Sequence, residues 1–154
     1  MVLGDSRLVP LPRHQDERGL LIALEEECEN VPFPIRRVYW ISSVPSGCSR
    51  GFHAHTDLEQ ILICVCGSVS ILVDDGRVRQ TYSLSRSDMG LYLGPMIWRE
   101  MFDFSDNAVL LVLASKKYDE NDYINDYDKF MLTANECEGG QSEGSVLDAG
   151  SNER

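Results

Sequence analysis

Histidine is scarce in this chain of 154 residues: three occur, His14, His53 and His55. Long apolar runs are missing as well. No stretch approaches the roughly 20 apolar residues that a helix needs to cross a bilayer, so a chain threaded through a membrane by helices is excluded. The start of the chain lacks the basic, apolar and small-residue succession of a secretion signal. Cysteines number five, at positions 28, 48, 64, 66 and 137. That is an odd count in no metal-binding spacing, which argues against a closed disulfide framework or a cysteine-rich metal cluster. Cys64 and Cys66 alternate with Ile63 and Val65, as buried free thiols in a strand do, and free thiols suit a reducing, cytoplasmic location. Positive charge is in the minority, with 14 Lys and Arg against 25 Asp and Glu and a net charge of −11. Nonspecific binding to nucleic acid or to an anionic membrane surface is thereby disfavoured. An anionic substrate has to be held by local arginines against the overall field.

What is present suits one globular domain. Apolar residues make up 43% and charged residues 25% of the chain, enough for a core of its own. Leu8-Val9, closed by Pro10 and Pro12, reads as an edge strand, where proline is tolerated. Further short strands are expected at Leu20–Glu25, Ile35–Ile41, through the two later histidines, and at Leu58–Cys66, Ser68–Val73, Arg77–Leu84, Leu91–Pro95, Met96–Met101 and Ala108–Ala114. In Ile35–Ile41 the alternation puts Arg37, Tyr39 and Ile41 on one face and Arg36, Val38 and Trp40 on the other. Asp74-Asp75-Gly76 signals a hairpin turn. One helix is expected, over Asn121–Leu132, with Ile124, Tyr127 and Met131 along one face. Tyr118, Tyr123, Tyr127 and Phe130 are expected to dock it. The domain is expected to span 1–134, with a Gly/Ser/Glu-rich tail over 135–154 that has little to bury and is expected to be disordered. Many short strands, hairpin turns and one late helix describe an antiparallel double-sheet barrel.

The most informative stretch runs from Gly47 to Gly67. His53 and His55 are two residues apart, so on a strand both point to one side. With Arg50 nearby and Tyr39 across from them, they make either a metal site or a proton-transfer site. A pair of histidines held only by core hydrogen bonds is the plainer alternative, but several kinds of polar group gathered at one cavity need a reason to be desolvated together.

The spacing Gly47, five residues, His53, one residue, His55, four residues, position 60, six residues, Gly67 is similar to the first signature of the cupin barrels. The resemblance implies a glutamate ligand at position 60 and a histidine ligand on a later strand in the metal-binding members. This chain has Gln60, and its matching later stretch Gly94–Met101 has no histidine. A neutral amide is a weak ligand for zinc or iron, so the expectation is no metal and no cofactor, with the histidines moving protons instead.

A narrower resemblance rests on Arg36-Arg-Val-Tyr39-Trp-Ile, Arg50-Gly-Phe-His-Ala-His55, Leu58-Glu-Gln-Ile-Leu, Leu72-Val-Asp-Asp-Gly76, Gly90-Leu-Tyr-Leu-Gly-Pro95, Trp98-Arg-Glu-Met101, Asp103-Phe-Ser105 and Tyr118-Asp-Glu-Asn-Asp-Tyr-Ile124, in that order. From about Asp16 to Phe130 the chain resembles the dTDP-4-keto-6-deoxyglucose 3,4-ketoisomerases, cupins that feed 3-amino-3,6-dideoxyhexose synthesis. The resemblance implies an all-β cupin (RmlC-like jelly-roll) barrel with a short C-terminal helix. It also implies a metal-free homodimer with exchanged N-terminal strands, acting on a dTDP-linked keto sugar. It assigns His53 as the base, Tyr39 as the hydroxyl-proton shuttle and His55 as a second proton-handling or orienting group. Arg18, Arg50, Arg99 and Gln60 are the candidates for holding the substrate. A 3,5-epimerase of related shape is the second reading. It pairs a histidine with an aspartate, and the histidine strand offers no suitable aspartate. A non-catalytic sugar-binding cupin is the third.

Overall fold

A computed structural model describes residues 5–139 of the chain. Within them are twelve strands, β1 (Ser6–Pro10), β2 (Arg13–Asp16), β3 (Gly19–Ile22), β4 (Arg37–Ser42), β5 (Arg50–His55), β6 (Gln60–Cys66), β7 (Val69–Asp74), β8 (Arg79–Leu84), β9 (Met89–Leu93), β10 (Trp98–Phe102), β11 (Val109–Ala114) and β12 (Tyr123–Ile124), and one α-helix, α1 (Tyr127–Gly139). Ten of the strands form two five-stranded antiparallel sheets, in the orders β1-β9-β6-β11-β4 and β12-β5-β10-β7-β8, while β2 and β3 pair only with each other. The expected all-β double-sheet barrel with a late helix is what the chain forms.

The near-continuous apolar run of β6 is explained by two cores. Leu62 and Cys64 point between the sheets, where they meet Ile71, Val73, Leu91, Leu93, Leu110 and Val112. Ile61 and Ile63 point outward, where Val9, Leu11, Val31 and Phe33 of the N-terminal segment cover them. A strand buried on both faces has no polar face to show. Leu8-Val9 does lie on an edge strand, β1, paired with β9. The Asp74–Gly76 turn closes the β7–β8 hairpin: Gly76 has φ +94° and its N–H donates to Asp74 Oδ1 at 2.7 Å.

The helix starts later than its spacing suggests. Asp119 caps a single 3-10 turn, Glu120–Asp122, and Tyr123–Ile124 then pairs with β5 as β12. Only after this does Asp126 cap α1, its Oδ1 accepting from Lys129 N–H at 2.8 Å. Pairing with β5 withdraws Tyr123 and Ile124 from helix formation, although their spacing fits a helical stripe. At the other end α1 runs to Gly139, so the expected boundary at 134/135 falls inside a helix; 140–154 lie outside the described residues. Tyr127 and Phe130 dock the helix on Trp98, with ring centroids 5.2 and 5.8 Å away, and Tyr127 Oη donates to the buried Asp74 at 2.7 Å. Tyr118 and Tyr123 take no part in that docking.

Candidate active site

Where β4 and β5 face each other, the two sheets leave a cavity of about 560 Å³. Its walls are Arg37, Tyr39 and Ile41 from β4, Arg50 and His53 from β5, and Tyr118 and Tyr123 from the stretch after β11. The alternation of β4 sends Val38 the other way, 50% exposed; Trp40, 65% exposed, still borders the cavity. Strict alternation would put Arg50 on the face opposite His53. A bulge prevents this: Arg99 of β10 lies opposite His53 and Glu100 opposite Gly51, so Phe52 has no partner. Phe52 takes φ +57°, and Gly51 takes φ +93° so close to β10 that a Cβ would sit 2.9 Å from the Arg99 carbonyl oxygen. The extra residue turns Arg50 and His53 into one cavity.

The two β5 histidines differ sharply. His53 lines the cavity. Burial, then the nearby Arg99 charge, lowers its pKa to about 4, so it is neutral at neutral pH. His55 is 1% exposed and does not line the cavity. It stands edge-on to His53, ring centroids 4.8 Å apart, and to Tyr123 at 4.4 Å. Its Nδ1 is 2.9 Å from Asp122 Oδ2, and its Nε2 has no hydrogen-bond partner among the described residues. Burial, and then Arg99, His53 and Arg37, hold its pKa well below the ordinary value. An aspartate therefore does serve a histidine here, but from a segment 67 residues away in sequence. The lack of one in the histidine strand is no argument against a His–Asp pair.

Gln60 and Arg99 sit behind the wall, 2% and 1% exposed. Arg99 Nη1 donates to Gln60 Oε1, Nη2 donates to the Ile97 carbonyl at 2.9 Å, and Gln60 Nε2 donates to Tyr39 Oη at 3.0 Å. Arg99 is a buried cation with no carboxylate within ion-pair distance among the described residues; burial pulls it down to about 10, leaving it charged at neutral pH. The chain of hydrogen bonds uses Tyr39 Oη as an acceptor, which frees its own proton for the cavity. Burial raises the Tyr39 pKa, keeping that proton in place. A metal of the kind other cupins hold does not fit these residues. The amide oxygen at the third ligand position is already taken by the Arg99 guanidinium, whose charge is felt at both histidines and opposes a bound cation.

Arg37 was not among the sequence candidates. Its guanidinium stacks over Tyr39 and Tyr118, 5.2 and 5.6 Å from their ring centres, and its Nε is buried without a hydrogen-bond partner among the described residues. The parity of β4 already put Arg37 beside Tyr39 and was the signal that could have found it. Arg18 lies elsewhere, 84% exposed on the β2–β3 hairpin and paired with Asp16. His14 lies on that hairpin too.

Fold and cavity together define a cupin barrel with an enzyme's site at its mouth. The chain belongs to one family of such proteins, described as FdtA: WxcM-like, C-terminal, which it matches over residues 4–135. The TDP-4-oxo-6-deoxy-alpha-D-glucose-3,4-oxoisomerase of Aneurinibacillus thermoaerophilus is 46% identical over 126 residues, 82% of this chain and 90% of that protein. The 3,4-ketoisomerase QdtA of Thermoanaerobacterium thermosaccharolyticum, solved with TDP, superposes with a TM-score of 0.85 at 41% identity, covering 88% of this chain and 98% of its own. The TDP-quinovose 3,4-ketoisomerase WlaRB of Campylobacter jejuni gives 0.80 at 46% identity, over 84% and 98%. No helix among the described residues is long and apolar enough to cross a membrane.

Proposed function

We propose that the chain is a sugar-nucleotide 3,4-ketoisomerase that converts TDP-4-keto-6-deoxyglucose into its 3-keto isomer through an enediol. The observation that carries this reading is His53, the imidazole open to the cavity and neutral, so that it has an unprotonated ring nitrogen able to take up a proton. It takes the proton from C3 and returns one to C4, base first and acid second. The hydroxyl proton crosses from O3 to O4, and Tyr39, a protonated hydroxyl that already accepts from Gln60, carries it. Atoms balance, because the product is an isomer of the substrate. The buried charge of Arg99, transmitted through Gln60 to Tyr39, favours negative charge on the enolate oxygen. Arg50 and Arg37 line the same cavity and suit the diphosphate, since guanidinium groups bind phosphate oxygens in pairs.

A homodimer with exchanged N-terminal strands suits the surface. The β2–β3 hairpin is hydrogen-bonded to neither five-stranded sheet and leaves Leu20 and Leu21 44% and 58% exposed, and Val38 and Val65 are exposed as well. A two-stranded hairpin is marginal on its own. Within one chain Arg18 is outside the cavity, so it serves a site only by reaching a second copy.

The test is incubation with TDP-4-keto-6-deoxyglucose in D₂O, followed by proton NMR. Ketoisomerisation moves the carbonyl to C3 and labels C4. A 3,5-epimerase labels C3 and C5 and leaves the carbonyl in place; a protein that only binds labels nothing. Either of the last two results overturns the reading.

A further inference from the structure

Asp122 is held from three sides. Its Oδ1 accepts from Thr56 Oγ1 at 2.6 Å and from the backbone N–H of Asp57 at 2.8 Å, while its Oδ2 is 2.9 Å from His55 Nδ1. Its backbone carbonyl accepts from Thr56 N–H at 3.0 Å, and the next residue, Tyr123, pairs with His55 across the β12–β5 ladder. A carboxylate only accepts hydrogen bonds, so the hydrogen in the Asp122–His55 contact belongs to Nδ1. A neutral imidazole with Nδ1–H has a bare Nε2. In His55 that Nε2 is buried and has no partner among the described residues, next to the rings of His53 and Tyr123.

We propose that Asp122 is a positioning residue that locks His55 in the Nδ1–H tautomer, keeping Nε2 a hydrogen-bond acceptor behind His53 during turnover. This rests on the ketoisomerase reading. When His53 takes up the C3 proton, it becomes a cation beside His55. A neighbour that offers a lone pair, backed by a carboxylate, favours that cation; one that offers an N–H opposes it. The same carboxylate also acts electrostatically on the buried Arg99.

The anchoring of Asp122 makes the test sharp. In Asp122→Asn the side-chain oxygen has to stay with the Asp57 N–H, which can only donate, so the new NH₂ faces His55 Nδ1. Nδ1 must then accept, and the hydrogen moves to Nε2. Proton–nitrogen correlation spectra of protein labelled with ¹⁵N in histidine, with His55→Asn for assignment, read the tautomer without substrate. The expected result is Nδ1–H in the wild type and Nε2–H in Asp122→Asn. With that inversion, kcat is expected to fall by about tenfold or more with KM within about threefold, less than the roughly 10²- to 10⁴-fold that loss of the proton-transferring group itself costs. Asp122→Ala, which removes the direction without inverting it, is expected to lose less. An Nε2–H tautomer in the wild type overturns the proposal even if neither variant folds. So does an Asp122→Asn protein that keeps Nδ1–H, or one that inverts and turns over within threefold of wild type. Because the tautomer is read without turnover, a wild-type protein with no isomerase activity but an Nδ1–H His55 refutes the reaction and leaves the lock standing.

Discussion

β5 carries the same side chain at two positions, 53 and 55, in different surroundings. Toward the open side, His53 borders a cavity and is neutral at neutral pH. On the closed side, His55 is sealed under Tyr123 and tied to Asp122. Two residues of strand separate a ring that is open to the cavity from one that is closed off from it. Chemistry on the open side depends on access, and order on the closed side depends on a segment that arrives late in the chain.

Exchanging or removing the two histidines should break this comparison. The largest effect is expected from His53→Asn: turnover falls on the order of 10²- to 10⁴-fold or more, while binding of TDP, followed by calorimetry, stays within a few fold. Unchanged turnover removes His53 from the base role. His55→Leu is expected to act on stability as well, because it leaves Asp122 Oδ2 without its donor. A loss of about 1–3 kcal/mol in urea unfolding is expected, against little change for His53→Asn.

The charge behind the wall sharpens the same contrast. With a folded pKa of about 4 against an ordinary 6.5, His53 stays neutral in the folded protein while the unfolded chain takes up a proton. Unfolding therefore binds protons between those values, and stability that is full above pH 6.5 is lost as pH falls toward 4. The melting temperature of the wild type is expected to drop further between pH 7 and pH 5 than that of His53→Asn; parallel curves would contradict the depressed pKa. The acid limb of kcat/KM is expected near pH 4 for the same reason. Arg99→Met removes one of the two causes and should move that limb upward; burial, the larger cause, keeps it below 6.5. The smallest effect is expected from Arg18→Ala. It should leave KM nearly unchanged if each chain builds its site alone, and raise it several-fold if a second copy brings Arg18 to the cavity.

Several elements were legible beforehand because their causes are local. The period-two pattern of β4 puts Arg37 and Tyr39 on one face, and the β7–β8 turn follows from Asp74 and Gly76. His53 and His55 share a strand face because alternation requires it. The start of α1 and the place of Tyr123 were not legible, since a helical stripe over Asn121–Leu132 gives way to pairing with β5. Arg50 reaches the cavity through a bulge that depends on how β10 lies against Gly51.

By itself, the sequence determined the barrel and its pair of imidazoles, together with Gln60 in place of a metal-binding carboxylate, because strand parity and side-chain chemistry are properties of neighbours. Only the tertiary structure decided which imidazole meets the cavity, that Arg99 is buried behind Tyr39 instead of reaching outward, and that Asp122 comes to rest on His55. Those outcomes depend on contacts between residues far apart in the chain, where burial and the order in which strands pair set the distances.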